Sequence, residues 1–269
     1  MRRLVICLIL VIVAGAAVVA PARASSSGID DWNCVPDSAG AFPRPVILIH
    51  GLGGTADDWR VLAPELQAQG ACVFLPEYGT DAGTANRLYG VAPASREEQE
   101  LAAYVRRVRA STGSAQVDIV GHSAGAFMAL MLGRSFGAAE VGKVVLLAPP
   151  TRGTTWFGIT SMLDITGLRP IFDTAVRSTI CPGCIDFLSG SDYLTSRRMQ
   201  PLTVPGISYH LLSIRSDTVI TPGGRRQFIN EPGVENVLGE KLWPGTLFNH
   251  GTLPRDAGVI DWTITRLRR

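Results

Sequence analysis

"VDIVGHSAGAFMAL", residues 117–130, is the stretch on which the fold of this chain turns. Val117-Asp118-Ile119-Val120 is a β-branched, strand-forming run, and residues 124–136 are apolar over a helical length. The chain must therefore swing sharply from strand to helix between Gly121 and Gly125. Such a bend holds Ser123 in a strained conformation, and the flanking glycines let neighbouring backbone come close. A Gly-x-Ser-x-Gly match is weak by itself. Its position between a strand and a helix makes Ser123 a candidate nucleophile rather than a turn residue.

Outward from this point, short β-rich runs alternate with helical patterns, as in a mostly parallel sheet covered by helices. Val46 to His50 forms a strand that runs into Gly51-Leu52-Gly53-Gly54. Thr55 then caps a helix, with Asp58 three positions on, an apolar stripe of Trp59, Leu62 and Leu66, and a stop at Gly70. Ala71 to Leu75 is the next strand, and Ser95 with Glu98 reads as a capping box ahead of Leu101, Tyr104, Val105 and Val108. Val144–Ala148, Tyr209–Ile214 and, more weakly, Val234–Leu242 read as further strands, and Asp256 opens a closing helix over Val259–Leu267. Residues 149–207 break the rhythm. Rich in Trp, Phe, Ile, Pro and Gly, they read as a cap, about 151–206, inserted over the sheet's carboxyl edge.

A serine hydroxyl is a weak nucleophile near neutral pH and needs a base within hydrogen-bond reach. His50 closes a strand, His122 precedes the serine on a turn that sends their side chains apart, and His210 lies inside a strand as a buried, satisfied histidine. His250, in "LFNHGTLPRD" (247–256), sits in a polar loop after the last strand and is the base by elimination. The base requires an acid to fix its tautomer. Asp217, in "LLSIRSDTVITP" (211–222), follows a strand's carboxyl end, with Asp192 in "SGSDYL" (189–194) as the reserve. Charge developing on a carbonyl oxygen needs preorganised donors, and the backbone N–H groups of Leu52 and Ala124 are the natural ones. "HGLGG" lacks the Gly-Lys-Ser/Thr ending of a phosphate loop and the spacing of a dinucleotide fingerprint.

Composition narrows the alternatives. At 269 residues and 46% hydrophobic the chain is long and apolar enough for one large domain with a substantial core. Residues 1–24 read as a secretory signal peptide, with Arg2 and Arg3, an apolar run over Leu4–Ala20 and an Ala22-Arg23-Ala24 cleavage site; an uncleaved membrane anchor is the rival reading. Cleavage would remove three arginines and no acid, leaving about −1, too little positive charge to hold a phosphate backbone, so nucleic acid is not expected as a partner. Arg197-Arg198, Arg225-Arg226 and the Arg266–Arg269 tail read as solvated faces. Cys34, Cys72, Cys181 and Cys184 would remain after Cys7 leaves, an even number that suits two disulfides in an exported protein in any of three pairings. Cys181-Pro-Gly-Cys184 lacks the second pair or histidine of a zinc site, so neither metal nor cofactor is expected.

"PVILIHGLGG" (45–54) and "VDIVGHSAGAF" (117–127) resemble the oxyanion and nucleophile segments of the secreted bacterial class 2 triacylglycerol lipases of the α/β-hydrolase superfamily. "DDWNCVPDSAGAFPRPVILIHG" (30–51) and "GACVFLPEYG" (70–79) are similar to the actinobacterial subset in which these cysteines are bonded. The resemblance runs from about residue 30 to 255, loosely over 151–206. It implies an α/β-hydrolase domain over 25–269, with Ser123 as nucleophile, Asp217 as acid, His250 as base, Leu52 and Ala124 as oxyanion donors, and bonds Cys34–Cys72 and Cys181–Cys184. The smallest lipases of this type have little or no cap, so substrate size does not carry over. The expectation is a secreted, cofactor-free carboxylic ester hydrolase acting on an ester or lipid, with no obligate protein partner. The rivals are an acyltransferase using the same three residues and a non-catalytic binding protein on a hydrolase scaffold.

Overall fold

Ile47 and Ile49 of strand β2 (Val46–Ile49) belong to one buried cluster, whereas Val46 and Leu48 belong to another. Successive strand residues point to opposite faces, so an unbroken apolar run marks a sheet covered on both sides. The structure, a computed structural model, describes residues 26–85, 87–178 and 181–269. The expected signal peptide and Cys7 lie outside the described residues.

Strands β1 (Gly28–Ile29), β3 (Cys72–Phe74), β4 (Val117–His122), β5 (Val141–Leu147), β6 (Ser208–Ser213) and β7 (Val234–Leu238) join β2 in one sheet of order β1-β3-β2-β4-β5-β6-β7. Every pairing is parallel. Helices α2 (Ala94–Thr112) and α3 (Ala124–Phe136) cover the face that carries Ile47, Ile119 and Val144. Helices α1 (Leu62–Ala68) and α9 (Ala257–Leu267) cover the face of Leu48, Val120 and Val145. Helix α3 is buried from Ala124 to Gly133, which explains why its sequence is apolar all round rather than striped.

The alternating arrangement agrees with the sequence reading; several details differ. The Thr55–Asp58 capping box forms, but it starts a short 3₁₀ turn over Ala56–Trp59 that precedes α1 as a separate element. The Ser95–Glu98 box does not form. Helix α2 begins at Ala94 after Pro93, and the Ala94 N–H donates 2.9 Å to the Asp186 carboxylate, a cap supplied from a distant part of the chain. Glu98 instead pairs with Arg197 at 2.8 Å. The last strand stops at Leu238, and residues 239–242 form a helical turn, α8 (Gly239–Leu242). Strand β1, two residues long, gave no periodic signal.

The structure pairs Cys34 with Cys72, S–S 2.00 Å, and Cys181 with Cys184, S–S 2.02 Å. The first bond ties the segment after β1 to β3, fastening the edge of the sheet. Between β5 and β6 lie α4 (Ile159–Thr166), α5 (Arg169–Arg177), α6 (Pro182–Asp186) and α7 (Asp192–Arg198). Among the described residues, no helix is long and apolar enough to cross a membrane.

Candidate active site

Parallel strands end on one side of a sheet, and the loops leaving those ends are where side chains from distant parts of the sequence converge. The loop after β2 carries His50 to Gly54, the turn after β4 carries Ser123, the loop after β6 carries Asp217, and a 3₁₀ turn ahead of α9 begins at His250. Ser123 has φ 55° and ψ −127°, a backbone conformation that costs an ordinary residue about 1–3 kcal/mol. Packing holds it there. A Cβ on Gly121 would sit 2.4 Å from the Gly125 carbonyl oxygen, and one on Gly125 would sit 2.2 Å from the His50 carbonyl oxygen. Both glycines are fixed by close backbone approach, not by flexibility.

His250 bridges the other two groups. Its Nδ1 lies 2.8 Å from Asp217 Oδ2, and its Nε2 lies 2.9 Å from Ser123 Oγ. A carboxylate only accepts, so Nδ1 carries the proton and Nε2 is left to accept from the serine hydroxyl. Asp217 is itself held. Its Oδ1 accepts the backbone N–H groups of Val219 at 2.8 Å and Ile220 at 2.7 Å, leaving Oδ2 for the imidazole. All three side chains are buried, so water competes weakly for these bonds. Asp192, the reserve acid, is exposed at the first position of α7.

The structure adds one group that elimination passed over. His122 Nε2–H donates 3.0 Å to the backbone carbonyl of His250, and the two rings lie 4.8 Å apart. Burial, reinforced by His250, pushes the His122 pKa well below the usual histidine value, so the ring is neutral. The sequence reading sets it aside because the turn sends its side chain away from that of Ser123, and its partner lies 128 positions on. His50 is also buried and its pKa is lowered, chiefly by that burial; it donates from Nδ1 to the Gly51 carbonyl at 2.8 Å and stacks on Tyr78. His210, in β6, is paired with Glu235 at 2.7 Å.

Ser123 and His250 open onto a cavity of about 380 Å³ with mainly apolar walls from Trp156, Ile185, Phe187, Leu188 and Val219. Leu52 and Ala124 line its floor. Among the described residues neither of their amide N–H groups has a protein acceptor, and Ala124 opens α3, where the helix end adds partial positive charge. Among the described residues, no group of three or more His, Cys, Asp or Glu could hold a metal ion.

Comparison with known proteins accords with this arrangement. The α/β hydrolase fold family matches residues 44–168, which span β2 to α4 and include the Ser123 turn. Among solved structures, Aspergillus fumigatus lipase B superposes with a TM-score of 0.63 at 14% identity, over 87% of this chain and 55% of that one. The mature Bacillus licheniformis lipase BlEst2 does so with a TM-score of 0.60 at 15% identity, over 87% of this chain and 94% of that one. The chain has the α/β-hydrolase fold. In sequence it is 34% identical over 127 residues to a triacylglycerol lipase of Pseudarthrobacter phenanthrenivorans, a match to 44% of this chain. The chain spans about a third of that relative's length, 36%.

Proposed function

We propose that the protein is a serine hydrolase of carboxylic esters, with lipids as its substrate class. The observation that carries this reading is the pair of hydrogen bonds from Asp217 through His250 to Ser123, at 2.8 and 2.9 Å, on the floor of an apolar cavity. The likeness of nearly half the chain to a triacylglycerol lipase supports it.

In the reaction, Ser123 Oγ bonds to the ester carbonyl carbon while its proton moves to His250 Nε2. Asp217 stabilises the imidazolium that forms. The carbonyl oxygen, now negative, is met by the amides of Leu52 and Ala124, each such donor being worth about 3–4 kcal/mol in the transition state. The C–O bond of the ester breaks, the alcohol leaves with the proton from His250, and the acyl group stays on Ser123. Water then repeats the sequence, giving its proton to His250 and releasing the acid.

Residues 151–206 act as a cap in this reading, since Trp156, Ile185, Phe187 and Leu188 supply the cavity's upper wall. The cap also carries apolar side chains turned to solvent. Phe157 is 67% exposed, Ile165 87% and Ile171 69%. An exposed apolar surface of this kind beside an apolar cavity favours a lipid over a small soluble ester. The two cysteine bonds suit a protein that works outside the reducing cytoplasm, in line with a signal peptide at 1–24.

The test is a comparison of turnover on p-nitrophenyl and glycerol esters of rising chain length. The wild type should cleave them, with kcat/KM rising from acetyl to medium-length chains, and Ser123→Ala should cleave none. A wild type that cleaves no ester would overturn the reading.

A further inference from the structure

On the far side of the wall that bounds the active-site cavity lies a second cavity of about 390 Å³. The two share the 153–156, 188–190 and 219–222 segments, but not their chemistry. Arg152, Arg198 and Arg226 line the second one, together with Ser189 and Gln227. They come from the loop after β5, from the end of α7 and from the 3₁₀ turn after β6. Arg152 and Arg198 also line a smaller, adjoining hollow of about 200 Å³.

Three guanidinium groups gathered at one place repel one another and favour an anion bound between them. Among the described residues, none of the three makes an ion pair, whereas Arg197, next to Arg198, is paired with Glu98. The one carboxylate that lines the smaller hollow, Glu231, is occupied, accepting the backbone N–H groups of Leu202 and Thr203 and the Thr203 hydroxyl. Gln227 cannot compensate, because its side chain is spent on Thr151, Arg152, Gly153 and Pro222. The like charges are felt. Partial loss of hydration, with repulsion from Arg152 and Arg226, holds the Arg198 pKa below its usual value.

We infer that this cavity is an anion site built for a phosphate ester. A carboxylate offers two oxygens and one charge, which a single arginine fork satisfies; three forks call for the three free oxygens and greater charge of a phosphate group. The space exceeds that of a bare phosphate ion and accommodates an organic group attached to it. The site stands apart from the serine chemistry and does not rest on the hydrolase reading. Two sources share this chemistry: a soluble phosphate monoester and the phosphate of an anionic lipid headgroup.

The experiment uses the full-length folded protein and Arg198→Gln/Arg226→Gln, both positions being exposed, with the melting curve as the control for folding. In the first arm, sodium phosphate and glycerol 3-phosphate are titrated calorimetrically against sodium chloride of equal ionic strength. In the second, vesicles of phosphatidylcholine, alone or with phosphatidic acid, are sedimented with the protein. Phosphate or glycerol 3-phosphate binding that weakens about tenfold or more in the double variant supports the site as one for a soluble ester. Sedimentation that requires phosphatidic acid, is lost in the double variant and is competed by phosphate supports the headgroup. Binding that survives both replacements, or no binding in either arm, overturns the inference.

Discussion

His122 Nε2 lies 3.0 Å from the backbone carbonyl oxygen of His250, so the residue before the proposed nucleophile holds the loop that carries the proposed base. The bond closes a ring: Ser123 is tied to the His250 ring, and the His250 backbone is tied to the side chain next to Ser123. His122 is a positioning residue in this arrangement. His122→Phe keeps the volume and removes the donor, losing a buried hydrogen bond worth about 0.5–1.5 kcal/mol. The expected result is a fall in kcat of about tenfold or more with KM nearly unchanged, since a loosened base affects the transition state rather than binding. Steady-state kinetics on one soluble ester, with a melting curve, checks it; equal changes in both constants would point to a merely structural role.

Gly125 lies hard against the end of β2, the carbonyl oxygens of His50 and Ile49 lying 2.2 and 2.4 Å from where a Cβ would stand. Strand β2 is held by its pairing with β3 and β4, and α3 is packed against that sheet, so neither can yield without losing those contacts. Gly125→Ala should therefore cost about 3 kcal/mol or more, at the upper end of overpacking effects. Chemical denaturation measures it. A loss under about 1 kcal/mol would mean that α3 is free to shift.

The two cysteine bonds should differ in worth. Cys34 and Cys72 are 38 positions apart, Cys181 and Cys184 only three. Loop-closure entropy gives about 4 kcal/mol for the first and about 2 for the second. Cys34→Ser/Cys72→Ser should lower the melting temperature well beyond Cys181→Ser/Cys184→Ser, read by calorimetry without reductant.

Much of this was legible in the sequence because it is local. The strand–turn–helix around Ser123 rests on β-branched residues, two glycines and an apolar helix within fourteen positions, and the Thr55–Asp58 and Asp256 caps are read the same way. What escaped depended on distant partners. The Asp186 carboxylate that caps α2 lies 92 positions from Ala94, and no local pattern announces it. Arginines 197 and 198 look alike in sequence, yet one pairs with Glu98 while the other faces Arg152 and Arg226. The role of His122 was invisible for the same reason, its partner lying 128 positions on.

Glu97 is buried under the loop after β3, with neither carboxyl oxygen hydrogen-bonded among the described residues. Burial, with the charges of Glu100 and Asp186, raises its pKa to about 8. In the unfolded chain it titrates near 4.5. Below that both states hold the proton; between the two values only the folded state does, so the stability it contributes is lost as pH rises through the window. The slope is at most about 1.4 kcal/mol per pH unit. Glu97→Gln removes this term. The variant should gain on the wild type steadily from pH 4.5 to 8, and parallel stability curves for the two proteins would contradict the assignment.

The central claim, that Ser123 attacks with His250 taking its proton, is tested most directly by intact-protein mass spectrometry after treatment with a fluorophosphonate at neutral pH. The account predicts one adduct per chain, mapped by peptide sequencing to Ser123, absent in Ser123→Ala and formed at least about a hundredfold more slowly in His250→Ala. An adduct elsewhere, or labelling of Ser123 at the same rate without His250, would contradict it.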